Sequence, residues 1–146
     1  MVDACQVTGY TRDQMRGMLR DLPPFVKGHS EGRNKTFSRI DLLTISVITL
    51  MEERYGVKRS AIAQFVQQLG AALSAPRLID PRARLKVIAE PPQVTFLTED
   101  LPVSEGLIIP LGPIFKTIDH YLGAHSDTDG QGELPLGPVI MRTQIN

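Results

Sequence analysis

Residues 38–56 read SRIDLLTISVITLMEERYG and decide how the first half of the chain folds. Ser38 followed three residues later by Asp41 is typical of a capping box that begins a helix, and Gly56 suits its end. The apolar residues predicted to face inward are Ile40, Leu43, Val47, Leu50 and Met51, with Ile45 and Ile48 widening the stripe. The sequence therefore predicts a helix over about 39–55 that is packed on more than one side.

Three further helices are predicted around this one. Residues 2–8 form a short helix that ends at Gly9, and Thr11 caps a second helix over about 12–21. Beyond Gly56, Ser60 caps a helix that runs to about Leu73 and has its own apolar stripe. Together these helices would close one small core.

The second helix has two chemically different faces. Its inward positions are Met15, Met18, Leu19 and Leu22. Arg12, Arg16 and Arg20 follow one another at intervals of four residues, so they share the opposite face of the helix.

A basic hairpin is predicted directly after this helix. Residues 25–27 and 35–37 are predicted to be short strands around a loop that contains two glycines. Between Arg12 and Arg39 there are seven basic residues against three acidic ones, in a chain whose net charge is zero. A cationic helix beside a cationic hairpin is an arrangement that can hold a phosphate backbone while it probes a groove.

The second half of the chain has a different composition. Residues 1–74 contain ten basic and seven acidic residues, whereas residues 75–146 contain six basic and nine acidic ones. Strands are predicted over 85–89, 94–97 and 107–111, and a helix over about 113–122. The predicted fold class is mainly α with small β. The predicted domains are a DNA-binding domain at 1–74, an α+β lobe for dimerisation or effector binding at 75–124, and a flexible tail at 125–146 with a candidate edge strand at 139–141.

In residues 2–72 the chain resembles the winged helix-turn-helix of the MerR superfamily of transcriptional regulators. The matching segments are Gly9–Arg16, Leu22–Pro24, Lys35–Phe37, Asp41–Leu42 and Gly56–Ile62. The resemblance implies a recognition helix in the major groove, a basic wing on phosphates, double-stranded DNA as partner and a homodimer. Pro76 and Pro81 exclude the long dimerisation helix of typical members. The metal-sensing members of the superfamily need several cysteines, whereas this chain has one, Cys5.

The predicted DNA contacts are divided by their chemistry. Arg16 and the cations of the hairpin are assigned mainly to phosphates, while Arg12 and Gln14 are assigned to base edges. His29 lies at the predicted tip of the wing, where an exposed histidine without a role is an equal interpretation. The full set of residues predicted to contact DNA is Thr11, Arg12, Gln14, Arg16, Arg20, Lys27, His29, Arg33, Lys35 and Arg39.

Catalysis and metal binding are not predicted. The sequence has no glycine-rich phosphate loop, no HExxH and no Gly-x-Ser-x-Gly. The stretch from His125 to Gly130 imitates a calcium loop, but Leu136 stands at its twelfth position, where a bidentate glutamate belongs. With no secretory signal and no membrane-spanning stretch, we expect a cytoplasmic bacterial or phage regulator without a cofactor.

Two other functions remain open from the residues. The chain can be an adaptor or antirepressor that uses a winged fold to bind another protein without DNA. It can also be a sensor whose C-terminal lobe binds a small molecule or a protein effector. Candidate lining residues of that lobe, for which ordinary core is the plainer interpretation, are Phe96, Phe115, Ile118 and Tyr121.

Overall fold

The computed structural model describes residues 1–23, 37–76, 80–98, 102–103 and 105–126, and only the backbone of residues 125 and 126. Within these ranges the elements are α1 (Val2–Thr8), α2 (Arg12–Asp21), α3 (Arg39–Tyr55), α4 (Arg59–Ser74), β1 (Arg84–Ile88), β2 (Gln93–Leu97), β3 (Leu107–Pro110) and α5 (Gly112–Ser126). The predicted fold class, mainly α with small β, is confirmed.

The first two helices begin and end where the sequence predicts. Gly9 ends α1 with a φ of 77°, in the left-handed region that glycine adopts without strain. Thr11 caps α2 through a complete capping box, in which Gln14 Oε1 accepts from the Thr11 backbone N–H at 2.9 Å. The two caps fix the short turn that joins α1 to α2.

The central helix α3 is also confirmed. The Ser38 backbone N–H donates to Asp41 Oδ2 at 2.8 Å, and Gly56 ends the helix with a φ of 65°. Buried residues occupy most of its circumference, which agrees with packing on several sides. The inward placement of Ile40 is wrong, because it lies exposed in the first turn and the buried stretch begins at Leu42.

The predicted cap of α4 is wrong by two residues. The helix begins at Arg59, and Lys58 is its N-cap without a side-chain hydrogen bond. The Lys58 carbonyl accepts from the amides of Ala61 and Ile62, which places Ser60 inside the first turn. Arg59 is thereby the first residue of α4, and its guanidinium pairs with Glu52 of α3, with Nε 2.6 Å from Oε1.

The three strands form one antiparallel sheet in the order β2-β1-β3. In the central strand, Leu85 lies opposite Phe96 of β2 and Ile109 of β3. Leu85 and Val87 are buried, since α4 packs against the sheet at β2. The strands lie within one residue of their predicted limits, whereas α5 continues four residues past its predicted end at 122.

One cluster of buried residues joins all of these elements. It extends from Ala4 in α1 through the helices and the sheet to Ile118 in α5. Residues 24–36, which hold most of the predicted hairpin, and the candidate edge strand at 139–141 lie outside the described residues. The winged helix-turn-helix and the domain limits at 74 and 124 therefore stay predictions.

Candidate nucleic-acid interface

Helix α2 separates its apolar and cationic residues as the sequence predicts. Met15, Met18 and Leu19 are buried in the core. Arg12, Arg16 and Arg20 are exposed on the outer face. The helix therefore presents three guanidinium groups to solvent from a backbone that is packed on its other side.

The ion pairs of this outer face are weak. Arg16 Nη1 lies 3.4 Å from Asp13 Oδ1, and their side chains are 68% and 92% exposed. Arg20 Nε lies 2.9 Å from Asp21 Oδ1, with the arginine 79% exposed. Pairs as exposed as these contribute little free energy, so both guanidinium groups are free to exchange an aspartate for another anion.

The capping box uses groups that were predicted to contact DNA. Gln14 Oε1 lies 2.9 Å from both the backbone N and the Oγ1 of Thr11, and Thr11 Oγ1 in turn accepts from the Gln14 backbone N–H. Recognition of adenine by glutamine uses its oxygen and its amide group together. A bidentate base contact by Gln14 would therefore require the capping box to open. Arg12, the other residue predicted to contact a base edge, has no ion pair or hydrogen-bond partner for its side chain among the described residues.

A network of polar side chains fixes α2 to the two long helices. Tyr10 Oη donates to Glu52 Oε2 at 2.6 Å, and Arg59 donates to Glu52 through Nε at 2.6 Å and through Nη2 at 2.9 Å. Arg59 Nη1 also reaches Asp21 Oδ2 at 3.4 Å, at the C-terminal end of α2. Tyr10, just before α2, therefore contacts Glu52 directly, and Asp21 at the other end of α2 is linked to the same carboxylate through Arg59.

The network shifts the ionisation of its members. Burial by itself raises the pKa of Glu52, but hydrogen bonds from Arg59 and Tyr10 outweigh it and leave this pKa below its usual value. Burial, and then the hydrogen bond to the Glu52 carboxylate, raise the pKa of Tyr10. The hydrogen bond to Glu52 likewise raises the pKa of Arg59. The charged Glu52–Arg59 pair and the neutral tyrosine are therefore the favoured forms at neutral pH.

Gly17 makes room for this network. A Cβ atom at this position would lie 3.3 Å from Arg59 Nη1, closer than most contacts of real Cβ atoms. A glycine inside a helix costs about 1 kcal/mol relative to alanine, so a close approach of another group is a sufficient reason for it. The sequence alone leaves two interpretations of Gly17 open, a close approach of another group or mere tolerance of glycine, and the position of the Arg59 guanidinium favours the first.

Arg39 is directed toward α5. Its Nε and Nη2 donate to Asp119 Oδ1 at 3.0 and 2.8 Å, and its guanidinium carbon lies 5.8 Å from the centre of the Phe115 ring. This arginine, predicted to contact DNA, joins α3 to α5. A phosphate would have to compete with Asp119 for it.

The remaining predicted contacts belong to the predicted hairpin. Lys27, His29, Arg33 and Lys35 lie outside the described residues. Their convergence with the arginines of α2 therefore stays a prediction.

The candidate effector lining proposed for the C-terminal lobe is mostly core. Phe115 and Ile118 are buried in the main cluster, and Phe96 packs against it. The Tyr121 hydroxyl lies 2.7 Å from Asp3 Oδ1, and burial followed by this hydrogen bond raises the pKa of Tyr121 to about 12.

Within the described ranges, no group of three or more histidine, cysteine, aspartate or glutamate residues is placed to hold a metal ion. No described helix has both the length and the apolarity to cross a membrane.

Comparisons with family models, curated proteins and solved structures found no match to this chain. The MerR-superfamily resemblance thus stays an interpretation of the sequence.

Proposed function

We propose that this protein is a sequence-specific DNA-binding regulator in which α2 enters the major groove. The observation that supports this most directly is the outer face of α2, where Arg12, Arg16 and Arg20 project from a helix whose position is fixed at both ends. Protein–DNA affinity comes largely from cations that replace condensed counterions on the phosphates. A rigidly held helix also loses little conformational entropy when it docks.

The proposal assigns different tasks to the three arginines. Arg12 lies in the first turn of α2 and is unpaired in the described part of the chain, so it is the better candidate for a guanine edge. Arg16 and Arg20 exchange their surface aspartates for phosphates. The cations of the predicted hairpin, Lys27, Arg33 and Lys35, would extend the same contact. A homodimer would bind an inverted repeat whose half-sites lie about 34–36 Å apart or a multiple of that distance.

The direct test measures binding of the full chain to a duplex selected from random DNA, at several salt concentrations. Removing one cation that neutralises a phosphate should reduce the slope of log affinity against log salt by about 0.9. Arg16→Ala and Arg20→Ala should each reduce this slope by about 0.9. Arg12→Ala should lower discrimination between sequences and weaken binding to the preferred site by about 1–3 kcal/mol.

Arg82→Ala is the matched control. Its side chain is 77% exposed and its Nε lies 3.3 Å from Asp80 Oδ1, so it resembles Arg20 in its exposure and in having an aspartate beside it, but it precedes β1 and is not part of α2. The proposal requires this variant to bind DNA like the unmodified protein. A salt slope near zero, or equal reductions in Arg82→Ala and Arg20→Ala, would refute it.

The mixed charge of the same face favours a second candidate function. Asp13 and Asp21 stand beside the arginines, as in surfaces that bind another protein through charge complementarity. An adaptor or antirepressor of this kind would shift no DNA at physiological salt. Arg16→Glu and Asp13→Arg would then both weaken binding of a protein partner, whereas Asp13→Arg should strengthen DNA binding if the regulator assignment is right.

A further inference from the structure

A cleft of about 350 Å³ opens between α1, α3 and α5, on elements that do not include α2. Its apolar side is formed by Val7, Leu50 and Ile114, one from each of the three helices. The same opening is lined by several hydroxyl groups and by two charged residues near the end of α3. A cleft of this volume lies at the lower limit of small-molecule sites in proteins.

Three of the hydroxyl groups that line the cleft donate their proton in hydrogen bonds within their own helices. Thr8, Ser46 and Thr117 donate to backbone carbonyls four residues earlier, at 2.6, 2.7 and 3.0 Å. Their remaining lone pairs can only accept hydrogen bonds. The cleft therefore favours a ligand that brings donor groups.

Thr49 is the exception, and it is the observation that indicates a ligand. Its side chain is 5% exposed, and its Oγ1 has no hydrogen-bond partner within the described residues. A buried hydroxyl without a partner destabilises the fold, because it has given up its hydrogen bonds to water without replacement. Thr44 on the same helix is buried to the same extent, and its hydroxyl is satisfied by the Ile40 carbonyl at 2.8 Å.

The two charged residues that line the cleft have opposite signs. Glu53 and Arg54 lie next to each other in the last turns of α3, and both are exposed. Neither forms an ion pair within the described part of the chain. A molecule that carries both an ammonium and a carboxylate group would satisfy both of them.

From these features we infer that the cleft binds a small zwitterion with an apolar side chain, of the chemical class of a free hydrophobic α-amino acid. The ammonium group pairs with Glu53 and the carboxylate with Arg54. Thr49 supplies a hydroxyl that accepts from or donates to the same polar head, and the aliphatic side chain lies against Leu50 and Ile114. This site does not depend on DNA binding.

The test is a calorimetric titration of the full chain with L-leucine, up to about 10 mM because a ligand this small has limited affinity. The parallel ligands are isoamylamine, which lacks the carboxylate, and 4-methylpentanoate, which lacks the amine. L-leucine should bind at least about tenfold more tightly than either. Glu53→Gln and Arg54→Gln should each remove most of that advantage.

Thr49→Val and Thr44→Val form the matched pair. Both variants remove one buried hydroxyl from α3 at nearly constant volume, but only residue 49 lines the cleft. Thr49→Val should weaken L-leucine about tenfold while its melting temperature stays the same or rises, and Thr44→Val should leave the affinity unchanged. The inference fails if L-leucine gives no saturable heat, if isoamylamine binds equally well, or if Thr49→Val leaves the affinity unaltered.

Discussion

Replacing Glu52 by glutamine removes the charge at the centre of the network beneath α2. The carboxylate accepts one hydrogen bond from Tyr10 and two from Arg59, and its side chain is 13% exposed against 30% for Arg59. Breaking a fully buried ion pair costs about 3–5 kcal/mol. An exposed pair contributes about 0–1 kcal/mol. For this intermediate burial we expect Glu52→Gln to lower the free energy of unfolding by about 2 kcal/mol.

Thermal unfolding followed by circular dichroism measures this destabilisation. In a chain of this length, about 2 kcal/mol corresponds to a fall in melting temperature of about 4–8 °C. The neighbouring Glu53→Gln is the control, because Glu53 is exposed and outside the network. Its change in stability should stay within about 0.5 kcal/mol.

The pH dependence gives an independent signature of the same carboxylate. Folding lowers the pKa of Glu52, so its contribution is present above the unfolded-state value of about 4.3 and is lost as the pH falls through the folded-state value. The difference between the unmodified protein and Glu52→Gln should therefore shrink on acidification. Equal melting temperatures at pH 7, or a difference that persists at about pH 3, would refute the reasoning.

Three further outcomes are expected. Gly112→Ala should lower the free energy of unfolding by about 1–3 kcal/mol, because the new Cβ would collide with the backbone carbonyl of Pro81. The control is Gly123→Ala on the same helix, where a Cβ would meet open space and the change should be neutral or stabilising. Urea denaturation measures both variants. Arg39→Ala should lower the free energy of unfolding by about 1 kcal/mol, since the side chains of the Arg39–Asp119 pair are partly exposed. A double-mutant cycle with Asp119→Ala should assign most of this loss to the interaction between the two residues. Folding raises the pKa of Tyr121 to about 12, so stability should fall between about pH 10 and pH 12, and Tyr121→Phe should reduce that fall in alkaline melts.

The elements that local sequence signals determine were predicted almost to the residue. Ser38 and Asp41 form the capping box that their spacing indicates, and Gly9 adopts the left-handed conformation that ends α1. The outward direction of Arg16 follows from the apolar stripe on the other side of α2. These features depend on residues within one or two turns, where helical periodicity is informative.

The network beneath α2 could not be predicted in the same way. Tyr10 and Glu52 are 42 positions apart. The chain contains 16 acidic residues, and the sequence does not show which of them pairs with a given arginine. Gly17 was the available signal, because a glycine within a helix indicates a close approach, but it does not identify the approaching group. The Arg39–Asp119 pair, 80 positions apart, had no local signal, since both residues fit an ordinary solvated helix surface.

The buried cluster that runs from Ala4 to Ile118 has a consequence for how the chain loses its structure. Since the first and last described helices share one interior, detachment of α5 would expose the apolar surface of α3 to water. Helices and strands should therefore melt in a single cooperative transition, and fragments cut between them should populate the denatured ensemble at temperatures where the intact chain is native.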